Sequence, residues 1–404
     1  MKKVIAYWFL WSVCLIFYQQ LVTSRFVIKK PDTALYWTIF ETQEHSWNFR
    51  PYLLHNFLNQ HVAWDSEFYL AIADKGYDNE LVRKAGGRGE SYSLNYAFFP
   101  FYPLMIRIFY YPLCFFEKFN ILTRIETLTL SGVIVSLLGT FIAFISLHLF
   151  MSGFFDNETA LRGVFYFSVF PSAFFMGEVY TEGLFCGLFF LSILLIINRR
   201  WTLAGILSSL AFLTRPAGIL LVPFYILQWI KEIEWKNFSF KKVKILSLLP
   251  VLIPVTVFLA WKFSPLGYRF EFVEFAFFGR SGFDLINSFL NWKEALYLLF
   301  FSGNPPTRAY YFIEFIVILI TIFSFLLTGK KFVNITILGI LIFIFSITSG
   351  VSQGMHRYLL PVTNIYIMLV RLGKNQIFDR IWSIFSILLF GLLSMLFSFD
   401  MWAG

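Results

Sequence analysis

Asp65 and Glu67, in the segment His61-Val62-Ala63-Trp64-Asp65-Ser66-Glu67-Phe68-Tyr69-Leu70, bring two carboxylates together in an otherwise apolar chain. Ionisable side chains are expensive in hydrocarbon, so a polar loop that carries them stands out from the apolar runs around it. A carboxylate placed there can take a proton from a hydroxyl. Trp64, Phe68 and Ile72 recur every four positions, which predicts a helix over residues 61–75. On that helix Asp65 shares a face with His61 and Tyr69, whereas Glu67 turns elsewhere, so the two carboxylates would not act as one pair. Asp65 is the candidate base, with Trp64, Glu67 and Tyr69 as supporting residues.

Three further stations place charge at the ends of apolar runs. In Gly177-Glu178-Val179-Tyr180-Thr181-Glu182 the two glutamates stand one helical turn apart. Thr214-Arg215-Pro216-Ala217-Gly218 sets an arginine in a proline-broken turn. Gln353-Gly354-Met355-His356-Arg357-Tyr358-Leu359-Leu360-Pro361 opens a late apolar run. An arginine at a helix end often snorkels to lipid phosphate, and turns between spans are polar because they are wet. Arg215 and Arg357 on the same side as Asp65 suit a different task, since a site that handles a lipid phosphate needs fixed cations beside its base. Arg357, Arg215 and His356 are therefore the candidate phosphate ligands, with Glu178, Glu182 and Tyr358 supporting them. A bound Mg²⁺ or Mn²⁺ could share the work through Asp65 and Glu182, although no spacing requires one. His61 with Asp65 lacks a third ligand for a metal site.

The elements that must position these residues are membrane helices. The 404 residues are 58% hydrophobic and 14% charged, with long apolar runs recurring along the chain, which excludes a soluble core. The net charge of +9 sits in short clusters between those runs, a pattern of cytoplasmic loops and not of nucleic-acid binding. Cys14, Cys114 and Cys186 lie in apolar surroundings and suggest neither a disulfide framework nor a metal cluster. Lys2-Lys3 followed by residues 4–22 reads as a retained first span, and later spans are expected near 128–150, 162–177, 183–198, 201–213, 217–230, 245–262, 308–328, 332–349, 357–370 and 381–399. The expectation is one all-α polytopic membrane domain over residues 1–404 with about eleven transmembrane helices. Several spans fall short of the roughly 20 residues a perpendicular crossing needs, so tilted or broken helices around a cavity are expected. Residues 23–127 form a large first extracytoplasmic loop and residues 263–307 a second. Residues 83–96 are glycine-rich and read as a mobile loop; they lack the Gly-Lys-Ser/Thr ending of a phosphate-cradling loop. Residues 101–117 read as an interfacial helix on the bilayer surface.

Trp64-Asp65-Ser66 with Tyr69, Ile72-Ala73 and Gly76-Tyr77, then Ala97-Phe98-Phe99-Pro100 with Tyr102-Pro103, Tyr180-Thr181-Glu182, and Arg357-Tyr358-Leu359-Leu360-Pro361, resembles the PIG-V family. Those are the mannosyltransferases that add the second mannose to glycosylphosphatidylinositol, together with prokaryotic relatives, within the GT-C superfamily. The resemblance implies a polyprenyl-phosphate sugar donor, a lipid or glycan acceptor, inverting transfer on the extracytoplasmic or lumenal face, and an aspartate in the first large loop as base. It places the protein in a plasma membrane, or in the endoplasmic reticulum membrane of a eukaryote. Such a displacement needs a base for the hydroxyl proton and positive charge for the leaving phosphate, the roles of Asp65 and of Arg357 with Arg215. Two rivals are a lipid or glycolipid transporter and a non-catalytic membrane scaffold. A transporter should show two related halves, and no internal repeat is visible. No partner subunit is readable from the chain.

The distribution of basic clusters at Arg199-Arg200, within 231–244, at Lys330-Lys331 and within 371–380 puts all four on the amino-terminal, cytoplasmic side. Single cysteines in a cysteine-free background should therefore react with an impermeant thiol reagent in intact cells at positions 93 and 303. Positions 237 and 329 should react only after permeabilisation. Labelling of position 237 from outside would overturn this topology.

Overall fold

The computed structural model describes residues 1–26, 56–78, 83–85, 91–231 and 245–404. Most of the basic stretch at 231–244, residues 27–55 and 79–82 of the expected first loop, and residues 86–90 of its glycine-rich segment lie outside the described residues.

The chain is a multi-pass membrane protein built from helices. Five described helices are long and apolar enough to cross a bilayer: α1 (Lys2–Arg25), and the segments Arg124–Ser152, Pro305–Leu327, Lys330–Ile347 and Gln376–Ser398. A bent pair, Leu248–Lys262 with Pro265–Phe278, turns through 70° and forms a sixth, broken candidate. The shorter apolar helices Glu182–Ile197, Trp201–Thr214, Pro216–Lys231 and Thr363–Leu372 account for the runs that were too short to cross upright. The expected count of about eleven crossings is not reached: the described residues hold five helices long and apolar enough to cross, or six with the bent pair, and the run expected at 162–177 breaks after Ser168.

Local sequence explains where these elements begin. In chain order after α1 come α2 (Ser66–Lys75), the strands β1 (Arg83–Ala85) and β2 (Ser91–Ser93), α3 (Phe101–Leu113), α4 (Arg124–Ser152) and α5 (Asn157–Ser168). Thr123 and Glu126 close a capping box on α4, and the Asp156 carboxylate accepts the first free N–H groups of α5. The two strands pair antiparallel, Arg83 opposite Ser93, so part of the expected mobile loop is a hairpin. Then follow α6 (Glu182–Ile197), α7 (Trp201–Thr214), α8 (Leu221–Lys231), α9 (Leu252–Lys262), α10 (Pro265–Phe278) and α11 (Leu285–Phe301). The last two fall in the stretch 263–307 expected as a loop; Ser264 caps the first, with Pro265 at its start, and Asp284 caps the second. The chain closes with α12 (Pro305–Leu327), α13 (Val333–Ile347), α14 (Met355–Tyr358), α15 (Thr363–Leu372) and α16 (Gln376–Ser398).

α4 and α6 form the tightest crossing at the centre. A methyl group on Gly139 would overlap the backbone of Leu184, and one on Gly187 would overlap the carbonyl of Gly139. Small residues let two helix backbones close on each other where lipid supplies no hydrophobic drive between them. α3 lies against the same pair: Tyr102, fully buried, sends its hydroxyl to the Gly132 carbonyl (3.1 Å) and Ser136 Oγ (2.8 Å). This crossing fixes the start of α6, and with it Glu182.

Gly187→Leu should therefore lower the thermal midpoint in detergent sharply, since overpacking at a closed crossing costs about 1–3 kcal/mol or more. Leu326→Ala, at an exposed position, should cost far less; equal midpoints for the two variants would refute the close-approach role.

Candidate active site

Of the side chains singled out by sequence, Asp65, Glu182, Arg215 and Arg357 meet, each at a helix end or in a one-turn helix. Trp64 has a left-handed backbone, φ 53, which a bulky residue adopts at a cost. It interrupts the helix expected over 61–75, which begins only at Ser66. His61 consequently does not share a helical face with Asp65. Asp65 occupies the N-cap position of α2, yet its carboxylate makes no capping bond. An aspartate there would ordinarily accept a backbone N–H. Its Oδ2 instead lies 3.1 Å from Arg357 Nη2. The Asp65 N–H donates to the Tyr180 hydroxyl at 3.1 Å.

Glu182 is the second carboxylate of the site. Its Oε1 is 2.6 Å from Arg215 Nη1 and 3.1 Å from Arg357 Nε. The sequence Arg215–Glu182–Arg357–Asp65 is thus one continuous line of ion pairs. Glu182 is 2% exposed and Asp65 27%, so the buried carboxylate anchors the arginines while the other is partly open. Tyr358 supplies the floor: the guanidinium carbons of Arg215, Arg280 and Arg357 lie 5.1, 5.2 and 5.2 Å from its ring centroid. Tyr69 is buried beneath, edge-on to Phe98, Tyr102 and Tyr180. Trp64 forms a wall, edge-on to Trp402 at 4.9 Å. Glu67 stands in the first turn of α2.

Two residues expected at the phosphate side have other tasks. His356 is buried, with Nδ1 3.1 Å from Glu314 Oε2 and Nε2 2.9 Å from the Ala403 carbonyl oxygen, so both ring nitrogens face protein groups. It ties its segment down instead of offering a phosphate ligand. Glu178 and Glu182 do not share a helical face, because α6 starts only at Glu182. Glu178 points the other way: Oε2 lies 2.8 Å from His61 Nδ1, and Oε1 accepts from Gln19 Nε2 at 2.7 Å. Burial pushes the Glu178 carboxyl upward, and the facing His61 and Gln19 oppose that shift.

Several functional residues escaped sequence reading. Glu314 binds Gly354 N (2.6 Å), His356 N (3.0 Å) and the Tyr310 hydroxyl (2.6 Å), so it holds the first turn of α14 and orients Arg357. An acid inside the apolar run of α12 was its signal. Gly354 has φ +77, and a Cβ there would meet the Tyr358 ring at 3.2 Å, so the turn into α14 requires glycine. Arg280 and Glu274 sit in a stretch read as loop. Among the described residues no group of three His, Cys, Asp or Glu side chains could hold a metal ion. Asp65 and Glu182, the oxygen pair considered for Mg²⁺ or Mn²⁺, have Arg357 standing between them, a donor set that fits a cation already supplied by the protein.

A family model described as "Mannosyltransferase (PIG-V)" matches residues 1–268. The chain belongs to this family. The matched region holds Asp65, Glu182 and Arg215, while Arg280 and Arg357 lie beyond it. No curated protein sequence matches the chain. Among solved structures, ArnT from Cupriavidus metallidurans bound to undecaprenyl phosphate is 13% identical at a TM-score of 0.44, covering 82% of this chain and 58% of that one. The Archaeoglobus fulgidus oligosaccharyltransferase complexed with zinc and sulfate is 14% identical at 0.44, covering 96% and 53%. The same organism's AglB, with an inhibitory peptide and a dolichol-phosphate, is 14% identical at 0.39, covering 96% and 55%. The chain thus spans a little over half the length of these structures.

Glu182→Ala would leave two largely buried guanidinium groups facing each other, a loss of about 3–5 kcal/mol. Thermal unfolding in detergent should show a large fall in midpoint for Glu182→Ala and almost none for Asp65→Asn. Equal midpoints would mean that Glu182 does not anchor the arginines.

Proposed function

We propose that this protein is a membrane glycosyltransferase that moves a sugar, mannose by its family, from a polyprenyl-phosphate donor to a hydroxyl of a lipid-linked or glycan acceptor on the extracytoplasmic face, with inversion. The observation that carries this reading is Asp65, a partly exposed aspartate at a helix start that does not cap its helix and instead meets an arginine.

The acceptor oxygen attacks the anomeric carbon as the bond from that carbon to the phosphate oxygen breaks. One displacement on the face opposite the leaving group inverts the centre. Asp65 takes the hydroxyl proton, and the leaving polyprenyl phosphate keeps the electron pair of the broken bond. Arg357 is poised to bind the charge that develops on that phosphate, held in place by Glu182 and by the Glu314 grip on α14. Arg215 braces Glu182 and faces the same Tyr358 ring. Preorganisation of this kind is effective because the guanidinium groups need not reorient as charge moves.

Asp65→Asn keeps the size of the side chain but cannot accept the proton, and should reduce turnover with polyprenyl-phosphate mannose about a hundredfold or more. Glu67→Gln should be much milder. Arg357→Lys should lose about tenfold or more, because an ammonium cannot grip a phosphate in two places. Near-normal turnover of Asp65→Asn would move the base elsewhere, and a chain indifferent to all three changes would fit the transporter or scaffold readings instead.

A further inference from the structure

Of the three arginines around Tyr358, two are committed and one is not. Arg215 and Arg357 are bound to Glu182, and Arg357 also to Asp65. Arg280 makes no side-chain hydrogen bond or ion pair among the described residues; its contact is with the Tyr358 ring at 5.2 Å. Two of the three guanidinium groups are thus ion-paired to carboxylates, and Arg280 is the one held without an ion pair among the described residues. Glu274, Asp65 and Arg357 lie within its electrostatic reach, none of them paired with it.

The position of Arg280 is nonetheless fixed. It follows α10, and its own N–H donates to the Glu274 carbonyl at 3.0 Å. Ser281 N donates to the Ser349 carbonyl (3.0 Å) and Asp284 N to the Thr348 carbonyl (2.9 Å). Trp292 Nε1 reaches the Ile347 carbonyl at 3.0 Å, so α11 is tied to the same strand of backbone. That backbone runs directly into Gly354 and Arg357. A guanidinium held on such a frame, over an aromatic ring, beside a second arginine and with no described carboxylate in ion-pair contact, can bind a phosphate oxygen directly. A phosphodiester carries a single negative charge, and a lipid-linked sugar phosphate is a phosphodiester.

We propose that Arg280 is a phosphate-binding residue of the donor site: the phosphodiester docks between Arg280 and Arg357 over Tyr358 and draws Arg357 away from Asp65, so that donor binding itself frees the base. This rests on the donor class proposed above. In the empty site the Asp65 carboxylate and an incoming phosphate compete for one guanidinium. The competition makes an uncommon forecast, that removing the charge of the base strengthens donor binding.

The test is binding of farnesyl phosphate, a short sugar-free prenyl phosphate, to the purified full chain in detergent, measured by isothermal titration calorimetry, with inorganic phosphate titrated in parallel. Arg280→Ala should weaken farnesyl phosphate about tenfold or more, the scale of a lost charge-assisted bond, and Arg280→Lys should recover part of it. Asp65→Asn should bind it several-fold more tightly than the wild-type chain. Inorganic phosphate should bind much more weakly than the prenyl compound; equal affinity would overturn the assignment to a lipid-linked phosphate. Unchanged affinity of Arg280→Ala, at an unchanged thermal midpoint, overturns the role of Arg280, and weaker binding by Asp65→Asn overturns the exchange. Should the wild-type chain transfer mannose from polyprenyl-phosphate mannose while Arg280→Ala binds normally, this inference alone fails. Should the wild-type chain neither bind farnesyl phosphate nor transfer mannose, the donor class fails with it.

Discussion

Everything at this site depends on a single buried carboxylate caught between two guanidinium groups. Glu182, nearly inaccessible at the start of α6, and the arginines it meets would each be costly to bury as unpaired charges. Held together they satisfy one another, and Arg357 has reach left for Asp65. Four segments that are distant in sequence, the starts of α2 and α6, the end of α7, and α14, are joined by this one line of charge. Such a network adds little net stability over an apolar core of the same volume. What it provides is register: a shift of any segment strands a charge, so the carboxylates and the guanidinium groups hold one arrangement.

Two further buried carboxylates act as struts. Glu178 holds His61, and Val179 N donates to the His61 carbonyl at 3.1 Å, so the approach to Asp65 is pinned by side chain and backbone together. Glu314 performs for α14 what an N-cap residue performs for an ordinary helix, but it arrives from α12. A one-turn helix has too few internal bonds to hold its own shape. The borrowed carboxylate is therefore what keeps Arg357 aimed at the site.

The apolar runs were legible because each is a local property of the sequence, and α1, α4, α12 and α16 follow them within a few residues. α10 and α11 were not, because Tyr268, Arg269, Glu271 and Glu274 give the first of them a loop-like composition, although Pro265 after Ser264 marked a helix start. Asp65, Arg215 and Arg357 could be named as a group because charge at the ends of apolar runs has few uses. Their pairing could not. The four-residue repeat of Trp64, Phe68 and Ile72 predicted a helix through His61, and the left-handed backbone at Trp64 breaks it for reasons of tertiary fit that periodicity does not record. The same limit separated Glu178 from Glu182: four positions make one face only if the backbone between them is helical, and here α6 begins at the second glutamate. Arg280 gave only a weak signal, an arginine between glycines after an aromatic run.

Placing the chemistry at helix breaks follows from the solvent. In hydrocarbon a backbone group released from a helix must find a partner inside the protein, so every interruption calls for a polar side chain beside it. Here those side chains are drawn from the same residues that build the site. The Tyr180 hydroxyl takes the N–H of Asp65, and Glu314 takes those of Gly354 and His356. Tyr180 also lies under Arg357, its ring centroid 5.2 Å from the guanidinium carbon. A continuous helix presents only the charges of its own segment, spaced along its face. Breaking several helices at one level allows Asp65, Glu182, Arg215 and Arg357 to meet, and the groups that satisfy the broken backbone then hold them rigid.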